Sequence, residues 1–126
     1  MIFLHLKIKF IKDYVEKESK SVMARYGVQV EYKTGTMIEL PRAALTANEI
    51  AEHAEFFSFG TNDLTQTTYG LSRDDSGLFL QDYLEAKIYE KDPFVSLDTT
   101  GVGKLIEWSI EQGRLRKKKF KNWYLW

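Results

Sequence analysis

Phe56-Phe-Ser-Phe-Gly-Thr-Asn-Asp63 is a short apolar run that stops at a glycine and turns polar at once. A run of that length, closed by Gly60, fits a strand buried on both faces, as parallel strands are. Thr61 or Asn62 can cap the helix that follows, which runs through Leu64 and Thr68 to about Gly70. Upstream, Thr36-Met-Ile-Glu-Leu40 follows Gly35 and ends at Pro41, and reads as a second buried strand. Thr46-Ala-Asn-Glu49 has the form of a capping box, with Ile50, Ala51 and Ala54 as the apolar face of the helix it would open.

The reading extends outward in both directions. Between Leu6 and Tyr26, apolar residues fall at 6, 8, 10, 11, 14, 15, 22, 23 and 26, which is helical spacing. Gly27 is a natural stop. Val28, Val30 and Tyr32 alternate with polar residues and suggest a short extended segment. Residues 72–100 are irregular, with a short helix near Phe79–Tyr89. A last helix spans Val102–Gln112, with Val102, Leu105, Ile106, Trp108 and Ile110 as apolar candidates. Strands alternating with helices predict an α/β fold with a parallel sheet, about two strands with their helices.

Composition narrows the chemistry. The chain has 126 residues, 44% of them hydrophobic, with 18 basic and 18 acidic side chains. That is enough for a core and argues against wholesale disorder. With no cysteine and two histidines, a disulfide scaffold, a Cys-ligated zinc and a cysteine nucleophile are excluded from this chain. No apolar run reaches 18 residues, and lysines at 7 and 9 interrupt the apolar start, so neither a spanning helix nor a secretory signal is expected. The expected compartment is the cytoplasm, with a plastid or other organelle also compatible.

The zero net charge hides a division. Residues 39–112 carry 14 acidic and 5 basic side chains, whereas residues 113–126 carry 6 basic and none acidic, interleaved with aromatics. Such a tail reads as a nucleic-acid or membrane-surface segment or, more plainly, as a terminus outside the packed structure. The expectation is the latter, a basic aromatic tail over residues 115–126, with neither nucleic acid nor membrane as partner.

In parallel sheets, chemistry sits at the carboxyl ends of strands. Glu39 ends one predicted strand and Asp63 lies just past the other, 24 residues on. Two hard oxygen donors there suit Mg²⁺, which keeps several waters and takes one or two carboxylates plus substrate oxygens. A general acid/base pair, including a glycosidase pair, is an alternative. So is a purely structural role, with Glu39 paired to Arg42 and Asp63 capping a helix. Gly101-Val-Gly103-Lys104 looks like the end of a P-loop, but Asp98 stands where the first glycine belongs and Leu105 replaces Ser/Thr. His5 and His53 read as surface residues rather than as ligands.

The stretch Glu55-Phe-Phe-Ser-Phe-Gly-Thr-Asn-Asp-Leu-Thr-Gln-Thr-Thr-Tyr-Gly-Leu-Ser-Arg73 resembles the signature of the enzymes that use phosphoenolpyruvate through a phosphohistidine. Gly35–Leu45 resembles that family's preceding strand and loop. Ser72-Arg-Asp-Asp-Ser-Gly77, Asp92-Pro-Phe94 and Gly101-Val-Gly103 resemble its pyruvate, phosphate dikinase branch rather than its phosphoenolpyruvate synthase branch. The resemblance covers about residues 8–114. It implies a piece of a C-terminal (β/α)8 TIM barrel, residues 1–114, that binds pyruvate or phosphoenolpyruvate. It further implies Mg²⁺ held by Glu39 and Asp63, and a substrate lined by Glu39, Gly60, Thr61, Asn62 and Asp63. The family's whole enzyme transfers a phosphoryl group between a phosphohistidine and the pyruvate enolate, uses ATP on another domain, and is expected to be a homodimer. The family's catalytic cysteine has no counterpart here, so this chain supplies no catalytic residue and is expected to be inactive alone. A non-catalytic relic or an interaction module is the competing expectation.

Overall fold

A computed structural model describes residues 4–117 and 121–125. The chain opens with helix α1 (Leu4–Tyr26), then β1 (Thr36–Ile38) and two short helices, α2 (Pro41–Leu45) and α3 (Ala47–Ile50). Strand β2 (Phe56–Gly60) runs directly into α4 (Thr61–Tyr69). A 3₁₀ turn (Ser76–Leu78), α5 (Leu80–Glu85), α6 (Val102–Arg116) and β3 (Lys121–Leu125) complete it. The sheet order is β1-β2-β3 and both pairings are parallel, with Ile38 opposite Phe59 in the first.

Local sequence explains the boundaries. Gly27 adopts φ 64°, a conformation that a Cβ disfavours, and stops α1. Its amide bonds Ala24 O at 3.4 Å, and the Val28 amide reaches Met23 O at 3.1 Å, the two bonds of a Schellman end. Pro41 ends β1 by starting α2, at the position where its missing N–H costs nothing.

The core lies on one face of the sheet. Ile38, Phe57, Phe59, Leu64, Val102 and Ile106 are buried with Ile50 and a set of alanines at 43, 44, 47, 51 and 54. Those alanines let α2 and α3 approach α6 closely, and α6 answers with buried Ser109, whose hydroxyl donates to Leu105 O at 2.7 Å. At the end of α6, Arg116 pairs with Glu52 at 2.7 Å, and just beyond it Lys117 Nζ donates to Ala54 O at 2.8 Å. Burial and the nearby Lys12 ammonium hold Lys117 below the usual lysine value.

Five expectations need correction. Val28–Tyr32 is not a strand. A β-bonding partner is missing on that side among the described residues, and propensity without a ladder does not make a strand. The capping box does not form, because Thr46 sits between α2 and α3 and its hydroxyl turns back to Arg42 O at 2.9 Å. Neither Thr61 nor Asn62 is the cap residue of α4, a place that Gly60 takes. β2 is not closed on both faces: Phe57 and Phe59 are buried, whereas Phe56, Ser58 and Gly60 are half-buried, since the helices cover one side only. The backbone of Lys121–Leu125 pairs with β2 as a third strand, where charge composition pointed to a tail outside the packed structure. Backbone hydrogen bonding to an open edge is indifferent to net charge, so composition could not reveal it.

Helix α1 is amphipathic as expected, yet most of its apolar stripe is exposed: Phe10 by 71% and Tyr26 by 70%. Only Ile8 among its described residues packs against the core. No helix among the described residues is long and apolar enough to cross a membrane.

Asp98 replaces what a P-loop glycine would leave open. Its carboxylate accepts the Thr100 amide at 3.0 Å, the Thr100 hydroxyl at 2.8 Å, the Gly101 amide at 3.0 Å and the Val102 amide at 3.1 Å. The amides that would cradle a phosphate are thus occupied from within. Burial pushes the Asp98 carboxyl up, but the Thr100 hydroxyl and the Gly101, Val102 and Thr100 amides outweigh it and hold the group below the usual carboxylate range. Asp98→Ala should therefore cost ~0.5–2 kcal/mol, the scale of a lost helix cap. Because the folded value is depressed, this contribution is complete above the unfolded carboxylate value of ~3.9 and is lost as pH falls through the lower folded value. Thermal melts at pH 7 should separate wild type from variant by several degrees, and the gap should close in strong acid. A gap independent of pH would contradict the capping role.

Candidate functional site

Glu39 is the first residue beyond β1, and Gly60–Asp63 joins β2 to α4. Because β1 and β2 are parallel, both segments emerge at the same end of the sheet. The register that sets Ile38 against Phe59 brings Glu39 level with Gly60. The contact is close: a Cβ built on Gly60 would lie 3.0 Å from both Glu39 Cβ and Glu39 Oε2, and 2.8 Å from Met37 Sδ. The Glu39 carboxylate therefore rests on the bare Gly60 backbone, at the start of α4. Gly60 has no side chain with which to cap α4. Glu39, Thr61 and Asn62 are half-buried and Asp63 is exposed.

One turn of α4 ties the two segments together. Thr67 Oγ1 donates to Asp63 O at 2.7 Å and lies 3.4 Å from Glu39 O. Gln66 Nε2 donates to Asp63 Oδ1 at 3.3 Å. Sequence reasoning missed Gln66 and Thr67. The signal was there, since positions three and four beyond Asp63 on a helix share its face. Among the described residues neither carboxylate enters an ion pair, so the alternative pairing of Glu39 with Arg42 is not found.

The chemistry open to this corner is that of hard oxygen donors. No group of three or more His, Asp or Glu side chains gathers among the described residues, so the described residues would give any metal here at most two carboxylates. That fits Mg²⁺ with water and substrate oxygens, and it does not fit a closed protein cage. Recesses among the described residues lie elsewhere. One of 420 Å³ runs along α1 between Tyr14 and Tyr32, and one of 320 Å³ sits beside Tyr69, Tyr89 and Asp98. Tyr69 and Tyr89 meet edge to face at 5.8 Å, and burial, Asp98 and Tyr89 together raise the Tyr69 phenol above its usual value.

Known proteins carry the same stretch. Residues 1–118 match the family described as PEP-utilising enzyme, PEP-binding domain. The chain is 59% identical over 108 residues to pyruvate, phosphate dikinase of Clostridium symbiosum, covering 86% of this chain and 12% of that protein. It is 54% identical over 121 residues to pyruvate, phosphate dikinase of Rhizobium meliloti (strain 1021), covering 96% of this chain and 14% of the relative. To the chloroplastic pyruvate, phosphate dikinase 1 of Arabidopsis thaliana it is 57% identical over 109 residues, 86% of this chain and 11% of the relative. The chain thus spans a small part of the length of these relatives. A match over nearly all of its residues, with a parallel βα unit built from the same stretch, means that the chain belongs to the PEP-utilising enzymes, in their PEP-binding domain.

Proposed function

We propose that this chain carries the metal-holding corner of a pyruvate/phosphoenolpyruvate site of the pyruvate, phosphate dikinase type. Glu39 and Asp63 hold one Mg²⁺, and Gly60, Thr61 and Asn62 line the substrate beside them. The observation that supports this best is the close approach of the Glu39 carboxylate to Gly60, at the point where β2 becomes α4. A side chain at 60 would fill that cradle. The first turn of α4 offers amides and the positive end of a helix dipole to the substrate carboxylate, and Asn62 adds side-chain hydrogen-bond donors. A Mg²⁺ held there would supply positive charge that stabilises the negative charge developing on the substrate's enolate oxygen.

In the whole enzyme, the phosphoryl group passes between a histidine nitrogen and the enolate oxygen: the N–P bond breaks as the O–P bond forms. In that direction the enolate forms by loss of a methyl proton from pyruvate, and in reverse the enolate carbon regains it; that proton transfer is assigned to a residue outside this chain. The Ser72–Gly77 and Asp92–Phe94 stretches favour the dikinase over phosphoenolpyruvate synthase. The pairing of Lys121–Leu125 with β2 does not favour a free interaction arm.

Titration of the chain with Mn²⁺, followed by electron paramagnetic resonance, tests this reading. One Mn²⁺ per chain is expected, with a spectrum that changes on adding pyruvate. Asp63→Ala should weaken binding by at least ~10-fold, since outer-shell losses alone cost that much. Equal Mn²⁺ affinity in wild type and variant, with both folded by circular dichroism, would sink the assignment.

A further inference from the structure

We propose that Gln66 is the positioning residue for Asp63, an inference that rests on Asp63 being a metal ligand. Gln66 reaches two ways. Its Nε2 donates to Asp63 Oδ1 at 3.3 Å, and its Oε1 accepts the Arg73 backbone N–H at 2.7 Å. These two partners decide which end of the amide is which. A backbone N–H can only donate and a carboxylate can only accept. Turned by half a rotation, the amide would set its NH₂ against the Arg73 N–H and its oxygen against the carboxylate. The backbone after α4 therefore locks the amide, and the amide holds one oxygen of Asp63 and leaves the other for a cation.

The locking segment is itself anchored. The Ser76 hydroxyl donates to Arg73 O at 2.7 Å, and the Arg73 guanidinium lies 5.9 Å from the centre of the Phe94 ring. Ser76 is buried, so this turn is built into the packed part of the chain. Thr67 fixes the same carboxylate-bearing turn from the other side through Asp63 O. Two side chains of one helical turn thus set where the Asp63 carboxylate sits and, through the 3.4 Å approach of Thr67 to Glu39 O, how far it lies from the β1 end. Outer-shell hydrogen bonds of this kind orient ligating carboxylates and commonly change metal affinity by ~10–100-fold.

The test uses the full 126-residue chain, with Mn²⁺ as the paramagnetic probe and Mg²⁺ as the diamagnetic one. Gln66→Met keeps the side-chain length and removes both hydrogen bonds. It should weaken Mn²⁺ binding about tenfold while the melting temperature stays close to that of wild type. In the unmutated chain, the Gln66 side-chain amide signals should move during a Mg²⁺ titration, with the midpoint of metal binding. A merely structural glutamine would not report the metal in this way, and this second readout needs no variant to fold. If Gln66→Met binds Mn²⁺ like wild type, or the amide signals stay still while metal binds, the positioning role is overturned and the Asp63 assignment stands. If Mn²⁺ affinity falls only in step with melting temperature, Gln66 is structural and the proposal also fails. If wild type and Asp63→Ala hold Mn²⁺ equally poorly, the metal reading falls and the proposal falls with it.

Discussion

Phe57→Ala should unfold the chain under conditions where the unmutated chain is folded. Phe57 is fully buried in β2, the middle of the three described strands, and packs into the core with the helices. Truncating a buried phenylalanine costs ~3–5 kcal/mol, made up of the lost transfer free energy and the cavity left behind. A domain of this size has a margin of only ~5–15 kcal/mol. The exposed apolar stripe of α1, with Phe10 and Tyr26 mostly open to solvent, contributes little burial and puts the chain at the low end of that range. Phe10→Ala is the matched control, since an exposed substitution usually changes stability by less than ~0.5 kcal/mol. Urea unfolding followed by far-ultraviolet circular dichroism reads both. A Phe57→Ala midpoint close to that of Phe10→Ala would mean that the helical face of the sheet is not the core.

Gly60→Ala should damage the site more than the fold. The backbone of Gly60 has φ −82°, which any residue can adopt, so the effect does not come from torsional strain. It comes from space. The new methyl would meet Met37 Sδ at 2.8 Å and both Glu39 Cβ and Oε2 at 3.0 Å. The methionine sulfur can swing away, because that side chain is flexible and partly exposed. Glu39 Cβ can move only with its backbone, so the end of β1 must shift away from the start of α4. Overpacking of this kind costs ~1–3 kcal/mol. The displaced Glu39 carboxylate should lower Mn²⁺ affinity by ~10-fold or more. The pair Gly60→Ala with Met37→Ala separates the two effects: it should recover part of the stability and none of the metal affinity. Recovery of both would mean that the sulfur alone, and not Glu39, fills the cradle.

Much of this arrangement was legible from residue types alone. The βα unit of β2 and α4 is written in an apolar run, a glycine and a polar helix start, all within fourteen residues, Phe56–Tyr69. Local chemistry decides such elements because their hydrogen bonds close within a few residues. The same holds for α1 and its Gly27 stop, and for α6. Glu39 and Asp63 could be nominated because strand ends in parallel sheets share an edge, and the parallel register between β1 and β2 bears out that shared edge.

The remaining features depended on partners far away in the chain. Thr46 looked like a helix cap, but its hydroxyl found the Arg42 carbonyl of a helix that ends just before it. Val28–Tyr32 alternated like a strand and had no ladder to join among the described residues. The basic residues near the C-terminus concealed a strand, because a ladder is chosen by backbone geometry at an open edge and not by side-chain charge. Gln66 acquired its role only when residues 72–76 folded back to set the Arg73 amide against it. The sequence by itself determined α1, α4, α6 and the strands before and into α4, and which residues could bear the chemistry, since those depend on spacing and on intrinsic preference. The tertiary structure alone decided that Glu39 lies on Gly60 and that the Arg73 amide locks Gln66 in place. Those two contacts join residues 21 and 7 positions apart, and packing, not propensity, sets the distance across them.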